Sequence, residues 1–325
     1  MEGLAELWAD FREQTSACAD VLLLGLAVPC TSLGLGVLGT ALPALTGEVP
    51  RVGTELAALP APAGEAQADA QQDAVAAAGD GQGPRQLQSV FPGYSDAPFL
   101  LGVSALQCLA FGGTLLVGHV GLLPTTCSLY LLGASWGPSV AVGEVWRLAL
   151  PLLLHGSLPH LAVNVLFQLR VGMGLEREMG SKRFALMYVL SGVFGNIVSA
   201  ACDPWKLAVG CSTSGLGVLG GNFAAVIIRW GERPSQLYTW LIYLGLLTIT
   251  SFDASSHTDV YAHAGGFVGG LCLTTLMHPK CELDDERRGA CGRSSVQRLS
   301  LGTLVAAASL AGARIHGLAP IALPC

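Results

Sequence analysis

The sequence predicts an all-α fold: a polytopic transmembrane helical bundle with a six-helix core. Three observations lead there. First, of 325 residues 51% are hydrophobic and only 12% charged, with a mean hydropathy of +0.54; soluble domains carry about 25% charge. Second, the apolar residues gather into six stretches, 98–123, 148–169, 183–202, 209–228, 236–252 and 258–277, each near the roughly 20 residues a helix needs to cross hydrocarbon. Third, the basic residues fall in alternate connections, as they do in a chain that crosses a bilayer repeatedly.

Along the chain, residues 1–46 form an N-terminal segment. Its start, Met1-Glu2-Gly3-Leu4-Ala5-Glu6, is acidic and lacks the basic flank of a cleaved signal peptide. Within it, 21–46 is apolar but contains Pro29 and many glycines. Its flanks are acidic on both sides, so charge leaves open whether it spans. Residues 47–97 are rich in Ala, Gln, Pro, Gly and acids. Such a segment buries too little apolar surface to offset its ordering entropy and reads as a disordered loop.

The six-helix core then runs over 98–278. The connection after its second stretch holds Arg170, Arg177, Lys182 and Arg183, and the one after its fourth holds Arg229 and Arg233. A linker at 279–298 carries Lys280, Arg287, Arg288, Arg293 and Arg298. The intervening connections, Asp203-Pro204-Trp205-Lys206 and 252–256, are poor in Lys and Arg. The basic set is therefore expected in the cytosol. Residues 299–325 read as one extra C-terminal membrane helix, with Arg314 and His316 snorkelling or facing protein.

Several classes are excluded. A net charge of −6 with no basic stripe argues against nucleic-acid partners, whose phosphates must be neutralised. The ten cysteines include no Cys-x-x-Cys pair and read as buried thiols rather than metal ligands or a disulfide framework.

Polar groups at membrane depth are costly and mark function. Three clusters stand out. His160 and Asn164 are four residues apart on one helical face, and both can donate hydrogen bonds to a developing oxyanion. His155, just upstream, reads rather as a residue that packs or caps the loop. Ser212, in Gly210-Cys211-Ser212-Thr213-Ser214-Gly215, opens a helix, where backbone N–H groups are free and the dipole is positive. Alone it would read as a helix cap. His263 has Gly266 and Gly270 on its own face, and Gly217 and Gly221 mark the serine helix; such pairs let membrane helices approach closely. That approach would bring an imidazole within hydrogen-bonding reach of a serine hydroxyl, the minimum apparatus for nucleophilic hydrolysis.

These residues resemble the rhomboid family of intramembrane serine proteases. His155, His160 and Asn164 match its His-x-x-x-x-His-x-x-x-Asn pattern. Gly210-Cys211-Ser212 matches Gly-x-Ser, and His263, Gly266 and Gly270 match His-x-x-Gly-x-x-x-Gly. Trp146-Arg147 looks like the Trp-Arg of the family's membrane-embedded L1 loop, and Leu175-Glu176-Arg177 with Gly180-Ser181 and Tyr188-x-x-Ser-Gly also fit. The resemblance implies that Ser212 is the nucleophile and His263 the general base and acid. It also implies that His160, Asn164 and the Ser212 N–H form the oxyanion hole, as a dyad without cofactor or metal. Asp259, one turn before His263, is the acidic residue to watch.

Two departures matter. Thr213 stands where the family has Gly, and Leu216 where it often has an aromatic that stacks on the histidine. Ser214-Gly215 offers a second register, with Ser214 as the second-choice nucleophile. The Leu216-Gly217-Val218-Leu219-Gly220 run favours Ser212. The Gly-x-Ser-Thr-Ser-Gly variant is similar to rhomboids of apicomplexan parasites, which shed surface adhesins.

The implied activity is cleavage of single-span membrane proteins near the extracytoplasmic face, in the plasma membrane or a secretory-pathway membrane. The expected partners are such substrates and the lipid bilayer; the sequence leaves the oligomeric state open. One rival reading is a rhomboid-like pseudoprotease that binds or traffics membrane clients, although both catalytic residues are present. Another is a transporter or channel, which predicts inverted repeats that the sequence does not show.

Overall fold

The structure, a computed structural model, describes residues 97–229, 258–278 and 291–318. The stretches 21–46 and 236–252, and the proposed loop up to residue 96, lie outside the described residues. The described chain is helical apart from one small hairpin. Helix α1, Pro98–Val117, is followed by strands β1, His119–Val120, and β2, Leu123–Pro124, paired antiparallel. Short helices α2, Thr126–Leu131, and α3, Gly137–Ala141, come next, and then two 3-10 turns, Val145–Leu148 and Leu150–Leu152. Long helices α4, Leu158–Met179, α5, Ser181–Cys202, α6, Ser212–Ile228, α7, Val260–Met277, and α8, Cys291–His316, complete it.

Four of these helices are long and apolar enough to cross a membrane: α1, α5, α7 and residues Val296–His316 of α8. Helix α6 is apolar but only 17 residues long.

Several boundaries differ from the hydropathy reading. The second stretch, placed at 148–169, is a helix over Leu158–Met179. Its apolar beginning, through Pro151, forms 3-10 turns instead. The α4 start is fixed by Ser157, whose hydroxyl accepts the His160 N–H at 3.2 Å, with Pro159 in the first turn where no N–H is needed. Arg170 and Arg177 consequently lie inside α4, and Gly180 alone separates α4 from α5. The first stretch, 98–123, is helical only to Val117, and the last helix begins at Cys291 rather than 299.

The far end of α4 shows how a buried carboxylate is accommodated. Glu176 is fully buried. Its carboxylate accepts the N–H groups of Phe99 (2.8 Å) and Leu100 (3.0 Å) and the Ser181 hydroxyl (2.7 Å). An α-helix leaves its first N–H groups unpaired and its N-terminus positive, so the carboxylate satisfies both needs of α1. Further along, Gln168 donates to Ser104 and to Gln107 Oε1, both at 2.8 Å, and accepts from the Tyr188 hydroxyl at 2.6 Å. This buried network joins α1, α4 and α5.

The centre of the bundle is the contact of α7 with α6 and α5, and small residues make it possible. A Cβ on Gly270 would lie 1.8 Å from the Gly217 carbonyl oxygen, and one on Gly266 would lie 2.2 Å from that of Thr213. Only hydrogen fits between those backbones. Phe184, Met187, Tyr188, Leu175 and Leu219 fill the adjoining core.

Residues 118–157 form a folded insertion held by Arg147. Its buried guanidinium donates to the carbonyls of Tyr130 (2.7 Å) and Ala134 (3.0 Å), lies 4.0 Å from the Tyr130 ring centroid, and pairs with Glu144. The insertion bonds in turn to the α5–α6 connection, through Ser135 with Ala208 and the Gly137 N–H to the Pro204 carbonyl at 3.0 Å.

Candidate active site

The starts of α4, α6 and α7 meet at one end of the bundle around a cavity of about 710 Å³, whose lining includes His160, Asn164, Ser212 and His263. Each side chain is placed by a local device. His160 sits in the capped first turn of α4, and Asn164 follows one turn later on the same face. Ser212 is the first residue of α6. His263 lies four residues after Asp259, which caps α7 by accepting the Ala262 N–H at 2.9 Å.

The Ser212 Oγ and His263 Nε2 are 2.8 Å apart, within reach for direct proton transfer. The His263 Nδ1 is buried and has no hydrogen-bond partner among the described residues. With a proton on Nδ1, Nε2 accepts from the serine hydroxyl. The glycine of Gly-x-Ser has a steric cause. Gly210 adopts φ +130, its N–H donates to the Pro151 carbonyl at 2.9 Å, and a Cβ there would come within 3.0 Å of the His160 ring. Any larger residue would crowd the His160 ring.

His160 and Asn164 reach the cavity together, the Asn164 amide donating to the His160 carbonyl at 3.0 Å. Ser212 brings the unpaired N–H groups of a helix start to the same place. A donor set of this kind can hold a negative oxygen.

The remaining sequence candidates lie elsewhere. His155 is fully buried and does not line the cavity; its Nε2 stands 3.5 Å from the Cys211 N–H, and its ring meets the His160 ring edge-to-face at 5.3 Å. It packs against Cys211, next to Ser212, in keeping with a packing role. Arg147 holds the insertion, whereas Trp146 is exposed and touches none of the site. Gly266 and Gly270 belong to the α6–α7 contact. Ser214 is fully buried outside the cavity and is packed so closely that a Cβ on Gly192 would lie 2.2 Å from its hydroxyl. Leu216 and Thr213 both line the cavity, as does the aromatic Phe167 of α4.

Sequence reasoning missed Asn196, Ser199 and Lys206. Asn196 and Lys206 line the cavity, and the Lys206 ammonium donates to the Thr258 carbonyl at 2.7 Å. No short motif announces any of the three, because their partners lie far away along the chain.

Comparison with known proteins agrees with this architecture. The family model of the Rhomboid domain matches residues 142–280. Rhomboid-like protease 3 of Toxoplasma gondii is 31% identical over 207 residues, covering 62% of this chain and 78% of that protein. Rhomboid-like protease 1 of the same organism is 30% identical over 210 residues, covering 62% and 70%. The Rhomboid protease GluP of Bacillus subtilis is 34% identical over 167 residues, covering 51% and 32%. With a matching domain, membrane-length helices and the two Toxoplasma relatives aligned over most of their length, the chain belongs to the rhomboid family of membrane proteases and is an integral membrane protein.

Proposed function

We propose that this protein is an intramembrane serine endopeptidase working through a Ser212–His263 dyad. The observation that carries the reading is the 2.8 Å contact between the Ser212 hydroxyl and His263 Nε2, on a cavity that His160 and Asn164 also line. His263 takes the hydroxyl proton as Oγ attacks the scissile carbonyl, and the carbonyl oxygen becomes an anion. His160, Asn164 and the Ser212 N–H stabilise that charge. His263 then passes the proton to the leaving amine, leaving an acyl-enzyme at Ser212. Water, deprotonated by the same histidine, releases the second product.

The substrate class follows from where the site lies. An intact helix in lipid has its carbonyls engaged internally, so a segment must unwind before one can reach Ser212. Single-span proteins with weak helices near one face meet that need. The site occupies the end of the bundle opposite Arg177, Arg183 and Arg229. Under the positive-inside rule this directs it to the extracytoplasmic face of a plasma or secretory-pathway membrane. Surface adhesins fit the same class of substrate.

Reconstituted protein should cleave a model single-span substrate. Ser212→Ala and His263→Ala should each lower turnover by roughly 10⁴-fold or more, with folding and insertion unchanged. Full activity in Ser212→Ala together with loss in Ser214→Ala would overturn the assignment.

A further inference from the structure

Among the described residues, three ionisable side chains stand around His263: His160 on α4, Lys206 in the α5–α6 connection, and Asp259 one turn earlier on α7. Of these, Asp259 is held at both carboxylate oxygens. Its Oδ1 accepts the Ala262 N–H at 2.9 Å, and its Oδ2 accepts the Ser199 hydroxyl of α5 at 2.5 Å. Its backbone carbonyl accepts the His263 N–H at 3.0 Å, and the residue lines the same cavity as Ser212 and His263. One carboxylate thus caps the histidine helix, ties it to α5 and presents a negative charge to the site.

Lys206 and Asp203 define the surroundings of that charge. Lys206 is anchored on the Thr258 carbonyl. Asp203, just beyond the end of α5, is held above the usual carboxylate range by burial, with Lys206 opposing that shift and Asp259 adding to it.

We propose that Asp259, pinned by Ser199, is a positioning residue for the dyad histidine. It fixes the first turn of α7, so that Nε2 meets Ser212. It also holds a negative charge near the imidazolium that forms while Ser212 is without its proton. The His263 Nδ1, which has no hydrogen-bond partner among the described residues, leaves this service to a carboxylate acting at a distance rather than through a hydrogen bond to the ring. The inference rests on the Ser212–His263 dyad reading.

A cap alone and a charged positioning residue make different predictions. Asn caps helices about as well as Asp, so Asp259→Asn keeps the cap while removing the charge and the acceptor for the Ser199 hydroxyl, and Ser199→Ala removes that second bond alone. Cleavage of a single-span substrate would be followed from about pH 5 to 9 for wild type, Ser212→Ala, Asp259→Asn, Asp259→Ser and Ser199→Ala. Catalysis needs neutral His263, so rate falls on the acid side. In Asp259→Asn that acid midpoint should move down by about 0.5–1 unit and the plateau kcat should fall about 3–10-fold, with KM unchanged. Asp259→Ser, a second neutral cap, should behave alike and stands in if the Asn variant fails to fold. Ser199→Ala should lower kcat without moving the midpoint. Neutral-cap profiles superimposable on wild type would overturn the role of Asp259. Turnover surviving in Ser212→Ala would instead refute the dyad beneath it.

Discussion

The two ends of the bundle handle buried polarity in opposite ways. At the end away from the cavity, Glu176 receives three donors. Glu178 there pairs with Arg229 at 2.7 Å and His278 at 2.9 Å, joining the ends of α4, α6 and α7. Each carboxylate is closed upon by protein groups. At the cavity end the same three helices present their starts, and Ser212, His263, His160 and Asn164 border open space. There His263 keeps one ring nitrogen unpartnered among the described residues. Buried polar groups that serve stability satisfy one another. A site for chemistry must keep some of its bonding capacity pointed at a void.

That contrast can be broken at either end. The larger effect is expected at the cavity. Asn164→Ala removes a donor proposed for the oxyanion hole and should reduce kcat about 10²–10³-fold. The unfolding midpoint should barely move, because among the described residues the amide bonds to the His160 carbonyl of its own helix alone. The same change leaving kcat untouched would remove Asn164 from the oxyanion hole. The smaller effect is expected at the closed end. Glu176→Gln should destabilise by about 1.5–3 kcal/mol, since an amide cannot accept from all three donors as a carboxylate does. Thermal unfolding in detergent would show the lower midpoint. Turnover per folded molecule should stay within about threefold of wild type.

The sequence made some of this arrangement legible and hid the rest for identifiable reasons. Helices α5, α6 and α7 match the stretches 183–202, 209–228 and 258–277 closely, because a continuous apolar run in lipid has few alternatives to helix. Helix α4 was shifted. Hydropathy rejects a half carrying Arg170, Glu176, Arg177 and Glu178, yet Glu176 is buried against the start of α1, a partner 76 residues away. The same measure accepted the segment around Pro151, which turns in 3-10 geometry to carry the Gly210 N–H. At the site, the spacing of His160 and Asn164 and the small residues around Ser212 and His263 were readable because each lies within one helix turn or one tight contact. Ser199 and Lys206 were not, since their meaning comes from Asp259 and Thr258, some 60 and 52 positions along the chain. The choice between Ser212 and Ser214, two residues apart, rested on register in the sequence. In the folded chain one hydroxyl borders the cavity and the other is sealed against Gly192.

The most direct test of the central claim is covalent. Purified protein in detergent would be treated with a fluorophosphonate, digested, and the modified peptide mapped by mass spectrometry. The adduct should sit on Ser212, disappear in Ser212→Ala and His263→Ala, and persist in Ser214→Ala. An adduct on Ser214, or undiminished labelling of Ser212→Ala, would contradict the account.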